Sequence, residues 1–113
     1  MIVTTETLLK KLVPISDEMS AVTPFNFWNY QAGLVLFQPG QERDDKWITH
    51  TDAEVLCYVL EGQGRLRLQD EESTLTPGAI CHIAGNTPHD FVAEGEAPLL
   101  MFYVTIKVSS KIA

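Results

Sequence analysis

The sequence predicts an all-β barrel or sandwich that follows one short helix, in a single domain over residues 1–113. Short runs rich in β-branched and aromatic residues recur along the chain, and turn signals containing Pro or Gly separate them. No helical stripe follows residue 12. The length of 113 residues suits one domain, and a hydrophobic content of 45% is enough to form a core.

The helix is predicted at residues 5–12, because Thr4 or Thr5 can cap it and Pro14 ends it. Strands are predicted at residues 27–37, 47–50, 55–60, 65–68, 73–75, 79–83, 90–93 and 99–107. Residues 42–46 are charged and are predicted to form an exposed loop. Gly85 and Asn86 tolerate left-handed geometry, so they predict a tight loop before the last two strands.

The charge balance argues against two classes of partner. Fifteen acidic residues against eight basic ones give a net charge of −7, which disfavours nucleic acids and anionic membranes as partners.

No apolar run is long enough to span a membrane, and residues 1–18 lack the layout of a signal peptide, so we expect a cytoplasmic protein. Cys57 and Cys81 lie in apolar runs and are predicted to be buried thiols.

The stretch THTDAE at residues 49–54 contains three side chains that can bind a metal. If it is one strand, alternation places His50, Asp52 and Glu54 on the same face. The alternative is that residues 51–53 form a bend, in which Asp52 is a turn residue and Glu54 is the solvated start of the next strand. The sequence leaves both interpretations open.

Two longer stretches resemble the paired motifs of the cupin family. EVLCYVLEG at residues 54–62 resembles the end of the first motif, and residues 77–91, which include Thr87-Pro88-His89, resemble the second. The resemblance spans about residues 30–104. It implies a double-stranded β-helix, the jelly-roll barrel of RmlC-like proteins, with a short helix before it.

The resemblance also implies one divalent metal ion in the barrel mouth. His89 matches the second-motif histidine, Glu54 matches the first-motif glutamate, and Asp52 stands where a second histidine is usual. The implied ligands are His50, Asp52, Glu54 and His89, a mixed set that suits Fe, Mn, Ni or Zn. Glu54 is also a candidate catalytic base. Tyr58, Phe91 and Met101 are predicted to point inward and contact a substrate.

Three functions are compatible with these residues. The first is a metal-dependent enzyme acting on a small organic molecule, such as a dioxygenase, isomerase or lyase. The second is a non-catalytic cupin that binds or senses a small ligand with a degenerate metal site. The third is a structural dimer. We also expect a homodimer, because the edge strands of a small barrel need cover.

Overall fold

The computed structural model describes residues 1–40 and 47–108, so the predicted loop at 42–46 lies outside the described residues. This part of the chain forms one helix and nine strands. The helix is α1 (Thr5–Leu9). The strands are β1 (Val13–Pro14), β2 (Met19–Asn26), β3 (Tyr30–Phe37), β4 (Ala53–Glu61), β5 (Gln63–Arg67), β6 (Glu72–Leu75), β7 (Ile80–Ile83), β8 (Asp90–Glu94) and β9 (Leu99–Lys107).

The strands form two antiparallel sheets that pack face to face. The larger sheet has the order β1-β2-β3-β9-β4-β7, and the smaller has the order β6-β5-β8. Neighbours such as β3 and β9 are distant in sequence, which is the pattern of a jelly roll rather than of a simple meander. The predicted jelly-roll fold class is confirmed. No helix of the described residues is long and apolar enough to cross a membrane.

Helix α1 is shorter than predicted and covers part of the outer face of the larger sheet. Thr4 caps it, because its hydroxyl accepts a hydrogen bond from the Thr7 amide at 3.2 Å. The helix ends at Leu9 rather than at residue 12. Its buried residue, Leu8, packs with Leu34 and Leu100 in a small second core. The helix therefore shields β3 and β9 from solvent.

Strands β1 and β2 were not predicted. Each contains a proline, a residue that is unfavourable within a strand. The structure accommodates Pro24 at a break in register between Val22 and Phe25, where β2 pairs with β3. This bulge brings the Val22 carbonyl against Gly33: a Cβ atom there would lie 1.9 Å from that oxygen. Glycine is therefore required at position 33 by close backbone approach.

The barrel is solid at one end and open at the other. Leu99 and Met101 at the start of β9 are 0% exposed, and Val59 beside them on β4 is 1% exposed. Further along β9, Tyr103 and Thr105 also face inward but are only half-buried. The core thus fills the barrel near the beginning of β9 and leaves space near its end.

Candidate functional site

A cavity of about 380 Å³ occupies the open end of the barrel, where β3 begins and β9 ends. Most of its lining is apolar, with Val35, Phe37 and Phe91 among the lining side chains. The polar side chains that line it are Thr23, Asn26, Gln31, His50, His89, Tyr103 and Thr105. The described lining contains no carboxylate, ammonium or guanidinium group. The cavity is therefore a largely apolar, uncharged space with hydrogen-bonding groups.

His89 is the most deeply buried polar residue of this cavity. Only 2% of it is exposed, and its Nδ1 lies 2.8 Å from the Thr87 carbonyl oxygen. A carbonyl oxygen can only accept, so Nδ1 carries the proton and Nε2 of the neutral ring is an acceptor. Burial lowers the pKa of His89, and this outweighs the opposing effect of the Thr87 carbonyl. His89 is therefore a neutral imidazole with a defined tautomer.

His50 lies directly beside His89. Ile48 and His89 form an isolated antiparallel bridge, with N···O distances of 2.8 and 2.9 Å. His50 follows two residues after Ile48, so this bridge fixes the backbone near both histidines. The two imidazole rings stack, with centroids 5.4 Å apart and an interplanar angle of 25°. Burial also lowers the pKa of His50. Both histidines are therefore mainly uncharged at neutral pH.

A buried ion pair holds the two chain segments that carry these histidines. Arg67 on β5 donates to the Asp90 carboxylate at 2.9 Å, and the side chains are 12% and 3% exposed. The Arg67 guanidinium also lies over the Trp47 ring, 4.9 Å from its centroid. Asp90 follows His89 directly, and Trp47 begins the segment that leads to His50. Arg67 therefore anchors both chain segments that carry the histidines.

Asp52 adopts the geometry of a turn residue. Its φ is 56°, so the chain turns into the left-handed region and the alternation from His50 to Glu54 is interrupted. The side chain is exposed, the Asp52 amide lies 3.4 Å from the Asn86 side-chain oxygen, and the Asp52 carbonyl accepts from the Val108 amide at 2.9 Å. The structure thus shows the bend, the alternative to a continuous strand. It does not bring the Asp52 side chain to His50 and His89.

Glu54 points to the opposite side of the sheet from the cavity. On β4 the inward side chains are Val55, Cys57 and Val59, which are 5%, 3% and 1% exposed. Glu54 faces outward, and its carboxylate pairs with Nε2 of His82 on β7 at 2.5 Å. The β-sheet therefore lies between the Glu54 carboxylate and the cavity. In this position Glu54 can neither bind a metal ion beside His50 and His89 nor act as a base in the cavity.

The three predicted substrate contacts occupy different places. Phe91 lines the cavity, its ring centroid 5.4 Å from that of Phe37 and 5.9 Å from that of His89. Met101 is fully buried in the solid part of the core, below the cavity. Tyr58 shares the outer face of β4 with Glu54 and is 41% exposed. Only Phe91 of these three therefore lies where a cavity ligand would contact it.

The sequence did not identify several polar residues of the cavity. Thr23 and Asn26 are on β2, which was not predicted, and the Thr23 hydroxyl is hydrogen-bonded to the Tyr103 hydroxyl. Thr105 was within a predicted strand. Its spacing of two from Tyr103 was a signal that both face the same side.

The described residues do not provide a complete set of ligands for the metal that the family resemblance implies. Residues 1–40 and 47–108 contain no cluster of three His, Cys, Asp or Glu side chains that could hold a metal ion. His50 and His89 are adjacent, but neither Asp52 nor Glu54 joins them. Two imidazoles without a carboxylate fall short of the two-histidine, one-carboxylate set of open iron sites.

The family follows from a sequence comparison. The model of the family described as Cupin domain matches residues 33–105. The chain belongs to the cupin family. The match begins in β3 and ends in β9, so it includes both candidate motifs and the histidine pair of this cupin. A search of curated proteins finds no match.

Solved structures agree with this assignment. The chain is similar to the TT1209 protein from Thermus thermophilus, with 27% identity and a TM-score of 0.71, over 89% of this chain and 95% of that one. A predicted oxalate decarboxylase from Thermotoga maritima is similar at 15% identity and a TM-score of 0.80, over 96% and 100% of the two chains. Ectoine synthase from P. lautus has 19% identity and a TM-score of 0.75, over 96% and 80%. The last two similarities show the cupin fold alone.

Proposed function

We propose that this cupin binds one small, uncharged organic molecule in the barrel cavity and does not require a metal to do so. The observation that carries the proposal is that the described cavity lining contains two neutral imidazoles and no charged group. A charged ligand would lose its hydration there without gaining an ionic partner, which is costly. An uncharged molecule with an apolar body avoids that cost.

The size and polarity of the cavity define the class of ligand. A volume of about 380 Å³ is in the range of small-molecule sites. Nε2 of His89 accepts a hydrogen bond, since Nδ1 donates to Thr87. Phe37 and Phe91 supply aromatic surface next to that acceptor. These features favour a ring-containing alcohol or phenol whose hydroxyl group donates to His89.

Binding measurements with paired ligands test the proposal. Isothermal titration of the full chain should detect neutral phenols and cyclic alcohols, and should show binding at least about tenfold weaker for the matching carboxylates, because a buried charge has no partner. His89→Ala should weaken binding of the neutral ligand about five- to tenfold, the worth of roughly one hydrogen bond. His82→Ala is the matched control, because His82 is 51% exposed on the outer face. Tighter binding of the carboxylates would contradict the proposal.

A metal-dependent enzyme is the second candidate. Its support is the fixed tautomer of His89: a backbone carbonyl holds Nδ1 and leaves Nε2 available, as for many metal-binding histidines. Elemental analysis of purified protein, followed by titration with Fe(II), Mn(II), Ni(II) and Zn(II), separates the two candidates. About one equivalent of metal that is lost in His89→Ala would replace the metal-free proposal with this one.

We also propose that the protein is a homodimer. Helix α1 leaves part of the outer face of the larger sheet uncovered, and Leu56, Tyr58, Ile80 and Phe102 there are 39%, 41%, 74% and 40% exposed. These residues are neighbours, because Tyr58 pairs with both Ile80 and Phe102. A contiguous apolar patch of this kind is typical of a protein interface, and a second copy of the same face is apolar in the same way.

A further inference from the structure

The two cysteines lie directly opposite each other on neighbouring strands. Cys57 on β4 and Cys81 on β7 are register partners in the antiparallel ladder, and both are free thiols. Partners in such a ladder have Cα atoms about 4.5 or 5.5 Å apart, and both spacings are within the range that a disulfide spans. Cys57 is buried in the core, and Cys81 packs against the same core from the inner face of β7. The backbone therefore needs little movement for a disulfide to form.

The two thiols differ in reactivity. The neighbouring side chain and backbone of Cys57 lower the pKa of Cys81, with a smaller contribution from His82, and together these outweigh the burial of Cys81. The neighbouring Cys81 side chain and burial both raise the pKa of Cys57. Cys57 is also 3% exposed, whereas Cys81 is more accessible. Cys81 is therefore the nucleophile of the pair, and Cys57 keeps its proton.

We propose that Cys57 and Cys81 form a reversible disulfide in response to hydroperoxides. The Cys81 thiolate attacks the O–O bond of the hydroperoxide, which gives a sulfenic acid at Cys81 and releases an alcohol, or water when the oxidant is hydrogen peroxide. The Cys57 thiol then attacks the Cys81 sulfur and releases water. Two thiols and one hydroperoxide thus give one disulfide, one alcohol and one water. A low-molecular-weight dithiol reverses the reaction by exchange.

Oxidation of this pair alters the wall of the cavity. Cys57 lines the cavity next to Val55 and Tyr103, and it is the register partner of Tyr103 on β9. A disulfide would draw the Cys57 sulfur toward β7 and remove a thiol from the cavity surface. The chemistry of the pair does not depend on what the cavity binds, so it can be tested separately from the proposed function.

Mass spectrometry of the full chain tests the disulfide directly. Reduced protein is treated with hydrogen peroxide or tert-butyl hydroperoxide, alkylated with iodoacetamide and digested with trypsin. Cleavage after Lys and Arg places Cys57 in peptide 47–65 and Cys81 in peptide 68–107. The expected product is a cross-link between these two peptides within one chain, with both alkylation sites lost and restored by dithiothreitol. Two thiols that stay fully alkylated, or a disulfide between chains as the main product, would overturn the proposal.

Two matched variants test the order of the steps. In the Cys57→Ser variant, the sulfenic acid formed at Cys81 has no second thiol to react with, so it can be trapped by dimedone. Dimedone should label Cys81 in this variant at least about fivefold more than it labels Cys57 in the Cys81→Ser variant. The reverse ratio, or equal labelling, would contradict the assigned roles. The cross-link in the unmodified chain remains a separate test if either variant folds poorly.

Discussion

Replacing Arg67 with alanine would remove the guanidinium that pairs with Asp90 and stacks on Trp47. The Arg67–Asp90 contact is 2.9 Å long, and the side chains are only 12% and 3% exposed, so solvent screens it weakly. Breaking a buried ion pair by removing one partner costs about 3–5 kcal/mol, and we expect the lower end, about 3 kcal/mol. For a domain of this size that loss lowers Tm by about 10–20 °C.

Arg65→Ala is the matched control for this prediction. Arg65 is two residues away on the same strand and also pairs with carboxylates, Glu72 at 2.7 Å and Glu94 at 2.9 Å. However, its side chain is 26% exposed and those of its partners are 45–48% exposed. Exposed pairs of this kind contribute at most about 1 kcal/mol. The comparison therefore sets a buried ion pair with a contact to Trp47 against ion pairs that are partly exposed.

The assay is urea denaturation of both variants and the unmodified protein at the same pH and salt concentration. We expect Arg67→Ala to lose at least about 2 kcal/mol more in the free energy of unfolding than Arg65→Ala. Equal losses in the two variants would refute the reasoning, because burial of the Asp90 pair would then have no energetic consequence.

Three further predictions concern the site and the outer face. Because the pKa values of His50 and His89 are lowered, the unfolded chain binds more protons than the folded chain just below pH 6.5. The free energy of unfolding should therefore fall as the pH decreases through this range. The fall should be smaller in the double variant His50→Gln, His89→Gln. An equal fall in both proteins would count against buried neutral imidazoles. Asp52 has a φ of 56°, which glycine adopts freely and alanine does not. In urea denaturation, Asp52→Gly should therefore change the free energy of unfolding by no more than about 0.5 kcal/mol, whereas Asp52→Ala should lower it by roughly 1 kcal/mol. Equal losses would argue that the carboxylate itself matters. Light scattering at micromolar concentration should show that Ile80→Glu converts the dimer to a monomer. Val13→Glu, at a 61% exposed site on β1, should leave the dimer intact. A monomer before any substitution would exclude the proposed interface.

The fold was largely predictable from the sequence, because turn residues and β-branched runs are local signals. The seven strands from β3 to β9 each overlap a predicted strand, and the left-handed conformation expected at the Gly85–Asn86 loop is present, with a φ of 62° at Asn86. Strand β2 was missed, and its Pro24 is accommodated at the bulge against Gly33. That compensation comes from a neighbouring strand, so no local pattern reveals it.

The site was harder to predict because β4 is apolar on both faces. Val55, Cys57 and Val59 face the core, while Leu56 and Tyr58 face outward and are exposed. Periodicity alone cannot choose between two apolar faces, so it did not show that Glu54 and Tyr58 face away from the cavity. The positive φ of Asp52 also interrupts the alternation that linked His50 to Glu54. His89 has no such ambiguity, since a short loop and a backbone bridge fix its position.

Strand β9 combines two kinds of position within nine residues. Leu99 and Met101 at its beginning are fully enclosed, so substitutions there would create voids or clashes that lower stability. Tyr103 and Thr105 border the cavity, where a change in side-chain volume has room to be accommodated. If the cavity binds the proposed ligand, changes in the second half of this strand would alter ligand preference, while the first half preserves the barrel. Directed evolution of binding specificity should begin with the positions of Tyr103 and Thr105.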